Sequence, residues 1–189
     1  MGAWVYFGSA VVILGIELIV FRVIVGRDYS RFGRLTPLSI FLQYVAIVVW
    51  ACFGWMNIPN GWPDVYVGPV QAIIGWALFG GGWLITLAGI LVLGIRRSHG
   101  LQVDVLRRSR MYGATRNPQA VAFLTAMIGY LVLWPSWPNV GVLILIVILA
   151  HLMILAEEEH LSAVFGDDYE RYRMRVPRYV RVRRASSAE

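Results

Sequence analysis

Lysine is absent. All 17 basic residues of the 189-residue chain are arginines, and they flank apolar stretches. The formal charge of +6 therefore points to anionic lipid headgroups and away from nucleic acid. Charge of either sign is scarce, at 15% against 58% hydrophobic residues, whereas a soluble domain carries about a quarter charged residues. With a mean hydropathy of +0.64, the chain has more apolar surface than one soluble core can hide. An ordinary cytosolic globule is thereby excluded. Disorder is excluded as well, because eight Trp, nine Tyr and eight Phe have no reason to stay in water. The single cysteine, Cys52, sits in an apolar run, so no intramolecular disulfide can form and the redox compartment is not readable. The first arginine, Arg22, follows the first apolar stretch, so the positive n-region of a signal peptide is missing. Residue 6 is Tyr, which argues against a lipid anchor at Gly2. The composition is that of an integral membrane protein.

Crossing a hydrocarbon core of about 30 Å takes about 20 mostly apolar residues. Three stretches qualify directly: Ala3 to Val25, Leu38 to Met56 and Val70 to Ile95. The stretch from Asn117 to Ala156 holds no formal charge and is twice as long as one span. Two prolines in Trp134-Pro135-Ser136-Trp137-Pro138-Asn139 break it into a hairpin of two further spans. The expected fold is an all-α membrane bundle of five transmembrane helices forming one domain over residues 1–189. In it, 1–69 supply two generic spans, 70–180 form a core and 181–189 a flexible tail. The arginines fall into three groups: Arg22 to Arg34, Arg96 to Arg116, and Arg171 to Arg184. The segments Asn57 to Pro69 and Trp134 to Asn139 hold none. By the positive-inside rule the N-terminus is outside and the C-terminus cytoplasmic, with Trp55, Trp62, Trp134 and Trp137 as an outer aromatic belt.

The polar chemistry then gathers on the cytoplasmic side. Glu157-Glu158-Glu159-His160 follows the last apolar run directly, and carboxylates at that depth usually serve a site. The bland alternative is a solvated helix end. The helix is expected to run to Phe165 and stop at Gly166, with Glu157 in line with Leu161 and Val164 on the packed face. Asn117 is expected to cap the fourth span and Pro118 to occupy its first turn. Such a helix start suits a ligand carboxylate or phosphate, and Arg116 adds a bidentate donor. Gly75, Gly80, Gly81, Gly82 and Gly89 read as close helix packing. His99 and His151 have no metal-spaced partner, and His151 reads as a satisfied interior group. Glu17 is either an interior partner or a shallow residue. Tyr169 and Tyr172 share one face of a short amphipathic helix.

Glu157-Glu158, Leu161, Phe165-Gly166, Tyr169, Tyr172 and Val176-Pro177-Arg178 together resemble the C-terminal pattern of the isoprenylcysteine carboxyl methyltransferases and the related membrane phospholipid methyltransferases. Upstream, Tyr112 and Arg116-Asn117-Pro118 resemble that family's second motif. Asn117 stands where the prenylcysteine enzymes carry His, as it does in phospholipid N-methyltransferases, and Ala120 and Ala122 replace the usual Tyr and Gly. The resemblance covers roughly residues 70–180. It implies an enzyme that takes S-adenosylmethionine as methyl donor, with Tyr112, Asn117, Pro118, Gln119 and Glu157 at cofactor-contact positions. The acceptor it implies is lipophilic and enters sideways from the bilayer, with no obligate protein partner. The expected location is a bacterial cytoplasmic membrane, with the site facing the cytoplasm. An amine acceptor needs a base, for which Glu158 or Glu159 is a candidate; a carboxylate acceptor wants a cation such as Arg116. Two alternatives remain: an NADPH-dependent membrane reductase of the sterol reductase type, and a non-catalytic membrane protein.

Overall fold

The structure is a computed structural model and describes residues 3–57, 67–93 and 110–180. The arginines from Arg96 to Arg108, His99, Trp62 and the tail from Arg181 onward lie outside the described residues. Among the described residues there is no strand. Helix α1 (Ala3–Leu18) continues through a π-helical segment (Ile19–Val25) into α2 (Gly26–Phe32). Four more helices follow: α3 (Pro37–Asn57), α4 (Pro69–Leu93), the short α5 (Arg110–Ala114) and α6 (Pro118–Leu133). The last two are α7 (Trp137–Phe165) and α8 (Asp167–Arg175).

Among the described residues, four helical stretches are long and apolar enough to cross a membrane: Trp4–Phe32, Pro37–Gly54, Pro69–Leu91 and Trp137–Phe165. The fifth expected span, α6, has 16 residues and falls short of that length. The hairpin between α6 and α7 lies where the prolines place it. Ser136 caps α7 by accepting from the Asn139 backbone N–H at 3.3 Å, and Asn139 Nδ2 returns to the Trp134 carbonyl at 2.7 Å. The first helix does not stop at Val25 but runs seven residues further. Its end is tied to α3 by Asp28, whose Oδ2 accepts from the Thr36 backbone N–H at 2.8 Å and from the Thr36 hydroxyl at 2.6 Å. Those bonds satisfy donors at the start of α3 that the helix itself leaves open.

Two bodies of packing result. In the first, α1, the π segment, α3 and α7 close around Tyr6, Ala10, Phe21, Trp50, Phe53, Val142, Ile146 and Leu149. In the second, α4 lies along α6 with small residues in the seam. Gly75, Gly82 and Gly89, seven apart, are buried, while Gly80 and Gly81 face outward. A Cβ built on Gly82 would come within 2.5 Å of the Ala126 backbone nitrogen and 2.6 Å of the Ala122 carbonyl oxygen. The packing reading of this glycine run thus holds for three of its five members.

Candidate functional site

The end of α7, the start of α6 and the residues after α8 meet at one end of the bundle. α7 continues to Phe165, and Gly166 terminates it with φ of +49°, a conformation that favours glycine. The chain turns there into α8, whose Tyr169 and Tyr172 pack on Leu161 and Phe165. This brings Val176–Tyr179 back beneath α6. The Arg116 backbone N–H donates to the Pro177 carbonyl at 2.9 Å. The Thr115 hydroxyl and Asn117 Nδ2 both donate to the Arg178 carbonyl, at 3.0 and 3.2 Å. Asn117 does flank α6, and Pro118 fills its first turn, but the Asn117 side chain makes no capping bond. The expectation of a side-chain cap is corrected: the amide reaches the returning tail instead.

Glu158 is the centre of the arrangement. Its carboxylate accepts from Arg178 Nε at 3.1 Å and from Arg178 Nη2 at 2.8 Å. Arg116 Nη1 stands 3.2 Å from its other side. The Glu158 and Arg116 side chains are 7% and 8% exposed, and that of Arg178 is 32% exposed. Arg116 Nε and Nη1 find no hydrogen-bond acceptor among the described residues, so Arg116 meets Glu158 as a charge contact rather than a hydrogen bond. Gln119 Nε2 is likewise buried without a partner. One carboxylate between two guanidiniums leaves a net positive charge and buried donors around the start of α6.

The glutamate triplet divides by face. Glu158 is buried, whereas Glu157 and Glu159 are exposed, as is Val164. The expectation that Glu157 lies on the packed face is therefore corrected by one residue. α7 is apolar nearly all round through its spanning part, so no stripe sets the phase of its polar end. Glu159 instead pairs with Arg22 of the π segment at 3.2 Å. Around Glu158, burial pushes the Tyr169 hydroxyl up to about 12, with the negative charges of Glu158 and Glu157 adding to it and Arg116 opposing. Tyr172 is raised chiefly by burial, and its hydroxyl donates to the Tyr112 carbonyl at 2.7 Å. The Arg178 guanidinium is raised, mainly by its hydrogen bonds to Glu158.

An open cavity of about 400 Å³ adjoins this cluster, lined by Tyr112, Gly113, Asp168, Arg171, Tyr172 and Arg175 among others. Of the residues singled out in the sequence, Arg116, Asn117 and Glu158 converge on the returning tail, while Tyr112 lines the cavity. Pro118 and Gln119 stand on the first turn of α6, and Glu157 faces outward beside Glu158. Two participants went unread. Arg178 was visible only as the end of a motif, and the Thr115 hydroxyl carried no signal. His151 has the partner expected of an interior histidine: Nδ1 lies 2.7 Å from the Tyr179 hydroxyl. Glu17 proves to be interior, 1% exposed. Among the described residues no cluster of His, Cys, Asp and Glu could hold a metal ion.

Helices of membrane-crossing length with one buried ionic cluster at their end define a membrane-embedded helical protein whose polar site sits at the edge of the apolar bundle. The model of the phospholipid methyltransferase family matches residues 70–168. That is more than half of the chain, and it takes in α4, α6, α7 and the glutamate triplet. The chain belongs to the phospholipid methyltransferase family. No curated protein and no solved structure matches it.

Proposed function

We propose that the protein transfers a methyl group from S-adenosylmethionine to a lipophilic acceptor that reaches the site from the bilayer. The observation that carries this reading is the buried Arg116–Glu158–Arg178 cluster at the start of α6, within a chain of the phospholipid methyltransferase family. The residues fit the cofactor. Arg116 Nε and Gln119 Nε2 are buried donors lacking acceptors, and the start of α6 adds a positive helix end, so an amino-acid carboxylate finds its partners there. Glu157 offers a carboxylate for an ammonium or a ribose, and Tyr112 an aromatic face for a sulfonium. When bound, the cofactor supplies an electrophilic methyl group. The protein's own residues align the acceptor with it and exclude water.

In this reading Arg116 is the cation that orients an anionic group, and Glu158 acts by holding both guanidiniums. Both Glu158 oxygens face guanidiniums. α6 would complete five spans with the C-terminus in the cytoplasm, in a bacterial inner membrane whose anionic headgroups meet the arginines. The Trp134–Trp137 hairpin is then on the outer side. A nicotinamide-dependent reductase is the second reading; its phosphates would also pair with Arg116, and the match to the phospholipid methyltransferase family favours methyl transfer over it.

The test is ligand-induced stabilisation of the detergent-purified protein. A ligand present at 100 times its Kd and bound only to the folded state stabilises by about 2.7 kcal/mol. S-adenosylmethionine is expected to raise the thermal midpoint and NADPH to leave it unchanged. Glu157→Ala should remove most of the rise, and Glu17→Gln should not. A response to NADPH alone would overturn the assignment.

A further inference from the structure

His151 and Glu158 lie seven residues apart on α7, about 10 Å along the axis and within about 20° of the same face. The two are gripped by successive residues of the returning tail: Arg178 binds Glu158, and the Tyr179 hydroxyl is 2.7 Å from His151 Nδ1. The level of His151 against α6 follows from the outer end of the pair. There the Tyr130 hydroxyl meets Asn139 Oδ1 at 3.2 Å. Twelve residues along each helix from that contact, about 18 Å, His151 is level with Pro118. It therefore stands at the depth where α6 begins, on the face of α7 that carries the ionic cluster and about two turns towards the bilayer from Glu158. Glu158 has both oxygens occupied by guanidiniums. His151 is the one other protonatable side chain that α7 places on this face among the described residues.

From this juxtaposition we infer that His151, held by Tyr179, is the proton acceptor for an amine-bearing lipid acceptor. The inference rests on the methyl-transfer reading above. The step uses the tautomer in which Nδ1 donates to the Tyr179 hydroxyl oxygen, 2.7 Å away, because that tautomer leaves Nε2 its lone pair. The acceptor arrives as an ammonium and gives one N–H proton to Nε2, which frees a nitrogen lone pair. That pair forms the new N–CH3 bond as the C–S bond of the sulfonium breaks and its electrons pass to sulfur. The positive charge moves to the methylated nitrogen, and the imidazolium later releases its proton to water. Tyr179 is a positioning residue in this step. Tyr179 is in contact with His151; further along this face stand Glu158 with Arg178 and Arg116, and Tyr169 and Tyr172 lie around that cluster. Arg22 meets Glu159 and Tyr29 stacks on His160 towards the end of α7, and α6 itself carries only Tyr130, at its far end.

The test uses the full chain with saturating S-adenosylmethionine. Turnover of the wild type is measured across pH. His151→Gln should lower turnover by about 100-fold, the scale of a lost general base, and flatten the profile while keeping the cofactor's thermal shift, which shows it folded. Added imidazole should restore turnover to His151→Ala, an effect no structural role produces. Tyr179→Phe should cost less and displace the profile. A second readout needs no catalysis: in 13C-histidine NMR of the protein alone, the His151 resonance should move with dodecylamine but not with dodecanoate. A His151→Gln enzyme with wild-type turnover and pH profile, or a His151 resonance indifferent to the amine, would overturn the inference and leave the methyl-transfer reading intact. A wild type that neither binds S-adenosylmethionine nor transfers methyl would overturn both.

Discussion

Glu158→Ala is expected to be among the most damaging single changes in the molecule. It leaves Arg116, 8% exposed, and Arg178, 32% exposed, facing each other without their counter-ion. Removing one partner of a buried ion pair costs about 3–5 kcal/mol, and the partial exposure of Arg178 argues for the lower end. A loss of about 3 kcal/mol in a chain of this size lowers the thermal midpoint by about 10 °C. Activity should fall further than stability, because the tail that Arg178 anchors also carries Tyr179 and receives the Asn117 amide. The comparison that isolates the cause is the double variant Glu158→Gln with Arg178→Met. Removing charge from both partners should recover part of the midpoint lost in Glu158→Gln, which is the coupling a double-mutant cycle reads. A single variant with an unchanged midpoint would mean that the cluster contributes nothing to the fold.

Gly82→Val tests the other large term. The new side chain would start from a Cβ placed 2.5 Å from the Ala126 nitrogen and 2.6 Å from the Ala122 oxygen, both backbone atoms that cannot rotate away. α4 and α6 must separate to admit it. Overpacking of a tight seam costs about 3 kcal/mol, and among the described residues the seam is nearly all that α4 packs on. The variant should give little monodisperse protein in detergent. Gly80→Ala and Gly81→Ala, whose added Cβ atoms meet nothing within 4 Å, should behave as wild type. If all three behave alike, the seam does not hold α4.

The same contrast explains what was legible in the residue order. Hydrophobic length and the two prolines at 135 and 138 act locally, so the positions of α3 and α4 and the α6–α7 hairpin could be read closely, whereas the first helix runs on to Phe32 and α6 is shorter than a full span. Gly166 could be read as a helix stop for the same reason, since only its own backbone angle is at stake. Which glycines of α4 face α6, and which glutamate of the triplet turns inward, depend on rotation about helices that are apolar on every side. That information is in the partner helix and not in the segment. Glu157 was favoured from its line with Leu161 and Val164, yet the tail selects Glu158, through an arginine 20 residues downstream. Asn117 shows a related effect. Its type suits a cap, but the Arg178 carbonyl lies within reach of its amide and takes it. The His151–Tyr179 pair was unreadable because its members are 28 residues apart and neither belongs to a motif.

The central claim is methyl transfer to a lipophilic acceptor, and one measurement addresses it directly. Purified protein is incubated with S-adenosylmethionine labelled in its methyl group and a total membrane lipid extract, and the organic phase is counted and resolved. The account predicts label in one class of lipid-soluble product, absent without protein and lost with Glu158→Ala. An unlabelled organic phase from folded protein that binds the cofactor would contradict it.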